Sequence, residues 1–210
     1  MVLAKHETGI CPLCDSPNPT TAHILNSCTE ALNQGRFTWH HDSILSCLIS
    51  WVKDEVSPSS ALYADLPNHR ASDSPPAVLP LDISTTSARP DIVLVEGSSI
   101  TILELTVPFN SREALQAARL RKSNKQSYLQ LISDHEDKGN TVQYHILEIG
   151  SLGHYKQCTF NCIKRVFNQT KQECKELLQK LSKTVISCSY YIFNSRNTGS
   201  WDTNCPFYSP

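Results

Sequence analysis

Asp91-Ile92-Val93-Leu94-Val95-Glu96-Gly97-Ser98-Ser99-Ile100-Thr101-Ile102-Leu103-Glu104-Leu105-Thr106-Val107 is the stretch that decides the fold. Two β-branched runs, Asp91 to Val95 and Ile100 to Val107, flank Glu96-Gly97-Ser98-Ser99, and this pattern predicts a β-hairpin. A reversal at Gly97-Ser98 pairs residues whose numbers sum to about 195, which sets Asp91 across from the neighbourhood of Glu104. Two carboxylates therefore converge. Glu104 lies inside the apolar run Ile102-Leu103-Glu104-Leu105, where an uncompensated charge is costly, so it needs a metal or lysine partner. With the carbonyl of Leu105, the pair suits a hard Mg²⁺ or Mn²⁺ ion, which polarises a phosphate and acidifies water. The plain structural alternative pairs Glu104 with Arg89 or with a helix lysine.

Working outward, Asn110-Ser111-Arg112-Glu113 reads as a capping-box-like start for a helix running to about Ser133. Thr141 to Ile149 supplies a third strand, and residues 156 to 196 read as helical, with seven Lys or Arg up to Lys183 against Glu173 and Glu176. Upstream, residues 57 to 90 carry six prolines and many serines, so they read as loop with a short extended piece near Leu79 to Ile83. Before that loop, apolar residues at 44, 45, 48, 49 and 52 repeat at helical spacing behind a capping Asp42 or Ser43, and Pro58 ends the helix. The organisation expected is a small knuckle over 1–35, an α+β core over 36–155 containing the 57–90 loop, and a basic helical region over 156–210.

The chain has 210 residues, 40% of them hydrophobic, enough for a real core. Nothing approaches eighteen consecutive apolar residues and the start lacks a signal-peptide run, so a soluble intracellular protein with no membrane partner is expected. A formal net charge of −1 argues against a wholesale basic binder of nucleic acid, but the charge is uneven. Asp54 to Glu104 holds eight acidic residues against Arg70 and Arg89, whereas Leu105 to Lys125 holds Arg112, Arg119, Arg121, Lys122 and Lys125 against Glu113 alone. An acidic, metal-attracting pole is thus expected to face a basic helix.

Nine cysteines are an odd number for a disulfide framework, and three sit close together beside a histidine. Cys11-x2-Cys14-x8-His23-x4-Cys28 offers three thiolates and an imidazole, a set suited to tetrahedral Zn²⁺. Pro12, Pro17 and Pro19 limit the entropy lost when this loop closes on a metal. Such a site serves as a nucleic-acid contact or as a structural staple, and spacing does not choose between them. Cys158-x3-Cys162 is a weaker pattern to which no site is assigned; Cys47 and Cys188 read as buried small apolar residues.

Arg89-Pro90-Asp91-x12-Glu104-Leu105-Thr106-Val107-Pro108 resembles the restriction-like endonuclease signature of site-specific non-LTR retrotransposons, a branch of the PD/(D or E)xK nuclease superfamily. In that family a CCHC knuckle of similar spacing lies upstream, followed by a segment resembling Arg36-Phe37-Thr38-Trp39-His40-His41-Asp42-Ser43-Ile44-Leu45. Arg121-Lys122-Ser123-Asn124-Lys125 resembles the family's basic helix, Leu147-Glu148-Ile149-Gly150-Ser151-Leu152-Gly153 its closing strand, and Cys188-Ser189-Tyr190-Tyr191-Ile192-Phe193 its tail. The resemblance implies a restriction-endonuclease-like core, a central mixed sheet flanked by helices, with Asp91 and Glu104 as catalytic Mg²⁺ ligands. The superfamily's lysine position, two residues after the second acid, holds Thr106. By the same resemblance the lysine moves to the following helix, where Lys125 is the first candidate and Lys122 the second. Arg121, Lys125 and Tyr128 then share one helix face.

The function implied is a DNA endonuclease that nicks its target, in a nuclear setting, with element RNA as a further partner and the reverse transcriptase region missing from these residues. Arg119, Arg121, Tyr128 and His41 are candidates for nucleic-acid contact. His40 stands where the family carries a basic residue and is expected to be partly cationic near neutral pH. For His41 and Asp42 the plain reading is a packed histidine and a helix cap, and for Trp39 and Trp51 it is core or interface anchoring. The alternative for the whole chain is a non-catalytic, zinc-dependent nucleic-acid-binding or interaction module.

Overall fold

The computed structural model describes residues 9–17, 19–66, 79, 80, 83, 89–124 and 126–203. A π-helical turn, His23–Ser27, leads into α1 (Thr29–Asn33) and α2 (Arg36–Glu55). Next come β1 (Ala61–Ala64), the hairpin of β2 (Ile92–Glu96) and β3 (Ser99–Thr106), and the helices α3 (Arg112–Ser123) and α4 (Gln126–Glu136). The chain closes with β4 (Thr141–Glu148), α5 (Gln157–Val166) and α6 (Lys171–Asn194). The strands make one mixed sheet in the order β1-β2-β3-β4, antiparallel up to β3 and parallel between β3 and β4. The fold class is α+β, with helices on both faces of the sheet.

The hairpin has the register read from the sequence, with Ile92 opposite Leu103 and Glu96 opposite Ser99. Gly97 takes φ 58° at the first central position of the two-residue turn, a conformation that a side chain would strain. Strand alternation then sorts the core into two layers. Ile92, Leu94, Leu103, Leu105 and Leu147 pack with α2, α5 and α6, whereas Val93, Ile100 and Ile102 pack with Leu131 and Ile132 of α4. Asp91 and Glu104 follow the second parity and face the α3–α4 side.

Several expectations need correction. The first long helix begins at Arg36, after Gly35 at φ 73°, and Asp42 and Ser43 lie inside it rather than capping it. The apolar period gave no sign of this because its buried face continues through Arg36 (0% exposed) and His40 (2%), both polar. The expected 111–133 helix is two helices, α3 and α4: Asn124 caps the first at φ −100°, ψ 14°, and the Ser123 hydroxyl bonds back to the Arg119 carbonyl at 3.0 Å. Arg121 and Tyr128 therefore do not share a helix face. A short strand, β1, stands inside the stretch expected to be loop. Near its other end the Ile83 amide donates to the Pro80 carbonyl at 3.0 Å. The rest of the extended piece expected there lies outside the described residues. The strand over 141–149 is the fourth of the sheet, and the 156–196 region is two helices separated around Asn168 at φ 50°.

The N-terminal segment docks on the far end of the chain. Ile24 and Leu25 of the π-turn pack on Ile192 and Phe193 of α6, with Trp39 and Trp201 against them. Buried Arg36 ties the same corner: Nη1 donates to the Ser195 carbonyl at 2.7 Å, Nη2 to the Thr198 carbonyl at 2.8 Å, and the guanidinium lies 4.8 Å from the Trp201 ring centroid. Trp39 and Trp51 both anchor packing, Trp51 edge-on to Phe167, and Cys47 and Cys188 are buried. Among the described residues no helix is long and apolar enough to cross a membrane.

Candidate functional site

Asp91 and Glu104 come together as the hairpin register requires, and each carboxylate is braced by the other's strand. The Leu105 amide donates to Asp91 Oδ2 at 2.7 Å, and the Asp91 amide donates to Glu104 Oε1 at 3.1 Å. Lys122, from the last turn of α3, reaches between them, its Nζ 2.8 Å from Asp91 Oδ2 and 2.5 Å from Glu104 Oε2. His41 of α2 completes the group, with Nε2 3.4 Å from Asp91 Oδ2 and Nδ1 3.0 Å from Asp42 Oδ1. Two anions and two cations thus share one buried locus, with Asp91 6% exposed and Glu104 fully buried.

The charge states follow from this pairing. Burial opposes ionisation of Asp91, but His41 and Lys122 outweigh it and hold the carboxyl below its usual range. Burial likewise opposes the Lys122 charge, and the two carboxylates more than offset it, raising its pKa. His41 is raised to about 9 against burial by its hydrogen bonds with Asp42 and Asp91, so it is cationic at neutral pH. The partial charge expected of His40 is absent: burial lowers its pKa to about 4, and Nε2 sits 3.2 Å from the Val185 carbonyl as a neutral ring.

Two tyrosines hold the floor of the site. Buried Tyr128 donates its hydroxyl to the Arg89 carbonyl at 2.6 Å, which fixes the chain just before Asp91. Tyr144 of β4 donates to the Lys122 carbonyl at 2.8 Å and so positions the end of α3. Burial, and then the charge of Glu104, push both phenols well above their ordinary pKa, so both remain donors. Arg89 pairs with Asp65 at 2.8 Å rather than with Glu104. A cleft of about 360 Å³ opens beside the group, lined by His41, Leu105, Arg121 and Lys122, with Asn26 and Ser27 of the π-turn on its opposite wall.

The four knuckle residues also converge. One ligand atom from each of Cys11, Cys14, His23 and Cys28 lies within 4.8 Å of all the others. Local backbone bonds set this up. Asp15, at φ 56°, donates its amide to the Cys11 carbonyl at 2.9 Å and turns Cys14 back. The Cys28 amide donates to the His23 carbonyl at 2.7 Å, a π-type span that sets the spacing of the second ligand pair. The cluster shifts its thiols in opposite directions: burial and the neighbouring sulfurs push Cys28 up to about 11, while hydrogen bonds with Ser16, Cys28 and Cys11 bring Cys14 down to about 6 against burial. A bound divalent ion deprotonates such thiols outright, and the donor set fits a structural zinc. The cluster can hold a metal ion such as zinc.

Of the other sequence candidates, Arg121 is exposed on the cleft and Arg119 lies on the opposite flank of α3, 2.8 Å from Glu148. Among the described residues the lysine at the acids is Lys122, the second candidate; Lys125, the first, lies outside the described residues. Sequence reasoning missed the two amides that bind the carboxylates, because strand register alone does not give side-chain direction at a strand end. It missed Tyr144 and Asn26 as well, since both act across long sequence separations; the Asn26 side-chain amide donates to the Val107 carbonyl at 2.9 Å. Compared with known proteins, the chain matches no family model and no curated protein.

Proposed function

We propose that the chain is a metal-dependent DNA endonuclease domain with a restriction-like core, of the kind found in non-LTR retrotransposon proteins. The observation that carries the reading is the convergence of Asp91, Glu104 and Lys122 at 2.5 to 2.8 Å beside an open cleft. This is an acid–acid–lysine set on a hairpin and the next helix, in a mixed sheet flanked by helices. The donor chemistry fits a hard cation, because two carboxylates held on one ammonium are close enough to share one ion. A Mg²⁺ or Mn²⁺ held by Asp91 and Glu104 would supply Lewis-acid polarisation and an acidified water.

The residues then divide the work. Lys122 touches both acids and lines the cleft, so its ammonium is placed to stabilise charge gathering on a phosphate there. His41, cationic and backed by Asp42, holds Asp91 ionised from the other side. Arg121, on the same cleft wall, binds the adjoining backbone. Hydrolysis joins a water oxygen to phosphorus and breaks the bond to the 3′-oxygen, which takes a proton and leaves a 3′-hydroxyl able to prime reverse transcription. No protein nucleophile is required.

The competing reading is a zinc-dependent nucleic-acid-binding or interaction module, favoured by the pairing of the carboxylates with the protein's own cations, Lys122 and His41. A nicking assay on supercoiled plasmid with Mg²⁺ or Mn²⁺ separates the two. Asp91→Ala and Glu104→Ala are expected to abolish nicking with little loss of DNA affinity, because phosphate gripping belongs to other residues. Wild-type protein inert with both metals on single- and double-stranded DNA would leave the binding module as the better account.

A further inference from the structure

A second polar cleft, of about 560 Å³, opens on the other flank of α3, between that helix, β4 and α5. Its walls include Arg119 and Ser123 of α3, His145 of β4, and Asn161 and Arg165 of α5. Positions 158, 161, 162 and 165 all line it, so α5 turns one continuous face toward it. Among the described residues no carboxylate lines this cleft.

Arg119 is held in place from behind. Its Nη1 donates to Oε2 of the fully buried Glu148 side chain at 2.8 Å and lies 3.8 Å from the Cys158 sulfur. Both contacts use Nη1 alone. A guanidinium carries five donors in a rigid fork, so anchoring one nitrogen orients the rest at little further entropic cost. Nε and Nη2 of Arg119 make no hydrogen bond among the described residues, and exposed Arg165 makes no hydrogen bond or ion pair there.

We infer that this cleft binds a backbone phosphate of DNA next to the one at the carboxylate site, held by Arg119 and Arg165. The inference rests on the nuclease reading and extends it. Arg119 and Ser123 stand on the same last turns of α3 that present Arg121 and Lys122 to the first cleft. A polyanionic strand crossing the end of α3 therefore meets cationic donors on both flanks, whereas a single small anion would use only one.

The test is DNA binding by the zinc-loaded protein without added Mg²⁺, followed by fluorescence anisotropy on a labelled duplex over a salt series. Arg165→Ala carries the decision, since an exposed arginine with no partner among the described residues can be removed without unfolding the chain. It should weaken binding by about three- to tenfold and lower the slope of log Kd against log salt by about 1. Arg119→Ala should do the same, with circular dichroism confirming its fold because Glu148 loses its nearest cation and keeps only Lys156 at 3.9 Å. Lys183→Ala, exposed on α6 and lining neither cleft, should leave both quantities as in wild type. An unchanged slope in Arg165→Ala overturns the inference, and if wild-type protein still nicks plasmid, the inference fails alone. A lowered slope in a protein that never nicks keeps the phosphate cleft and removes the nuclease reading. Wild-type protein that binds no duplex overturns both.

Discussion

Lys122 is where structure and proposed chemistry meet, because one ammonium balances two carboxylates that would otherwise repel each other. Removing one partner from a buried ion pair leaves the remaining charge uncompensated, so Lys122→Met should cost about 3 kcal/mol or more. For a chain of this length that is a fall in melting temperature of about 6 to 12 °C. A divalent cation should then take over the neutralisation. If Asp91 and Glu104 bind Mg²⁺, an excess of about a hundredfold over Kd returns about 2.7 kcal/mol of stability. The gain should be larger in Lys122→Met than in wild type, where the lysine competes with the ion. Thermal melts of both proteins with and without Mg²⁺ decide the matter. A Lys122→Met melting point that ignores Mg²⁺ and Mn²⁺ up to about 10 mM would show that the acids are not a cation site. The same paired acids were legible in the sequence because hairpin register is local arithmetic. That Lys122 reaches both acids was not, since its position depends on how α3 packs beside the hairpin.

At the level of elements, the π-turn His23–Ser27 links the metal cluster to the rest of the fold. It begins at one ligand, His23, and hands on directly to another, Cys28; it packs Ile24 and Leu25 on α6 and sends the Asn26 amide to Val107 just beyond β3. Stripping metal with a chelator, or substituting Cys14→Ser, should therefore loosen more than residues 9–35. Hydrogen exchange should rise in the last two turns of α6 and around residues 107–109, while β2 and β3 amides stay protected by their own core. Exchange confined to the knuckle, or collapse of protection throughout the sheet, would each contradict this. The four ligands were legible as a spaced set of metal-binding residue types, but their docking was not, because nothing local in Ile24 or Leu25 names Ile192 and Phe193 as partners. For the same reason α2 was read too short: Arg36 and His40 occupy a buried face that an apolar count leaves blank. Strand β1, Ala61–Ala64, has no β-branched residue to mark it.

Over the whole molecule, the contacts fall into two classes of reach. The β2–β3 pairing is made by neighbours in sequence, whereas α2 packs against α6 from opposite ends of the chain, and Arg36 is clamped to residues 195 and 198. That long-range closure explains why fold class was legible while the assembly of the outer layer was not. The two-residue turn at Gly97-Ser98 has a consequence in time as well as in space. Closing a short loop costs the unfolded chain little entropy, while joining α2 to α6 costs much more, so contact order places the hairpin early on the folding route and the helical closure late. In zinc-saturated refolding, Val93→Ala and Ile102→Val should give φ values above about 0.5, and Leu48→Ala and Leu181→Ala values below about 0.3. The reverse ranking would show that the helices nucleate the fold. With the order as stated, Asp91 and Glu104 are brought face to face in the transition state, before α2 and α6 close the core behind them. The nascent chain then carries a juxtaposed pair of carboxylates whose mutual repulsion slows its own folding, and if that pair binds magnesium, the ion in the refolding buffer should act as an accelerant rather than only a stabiliser.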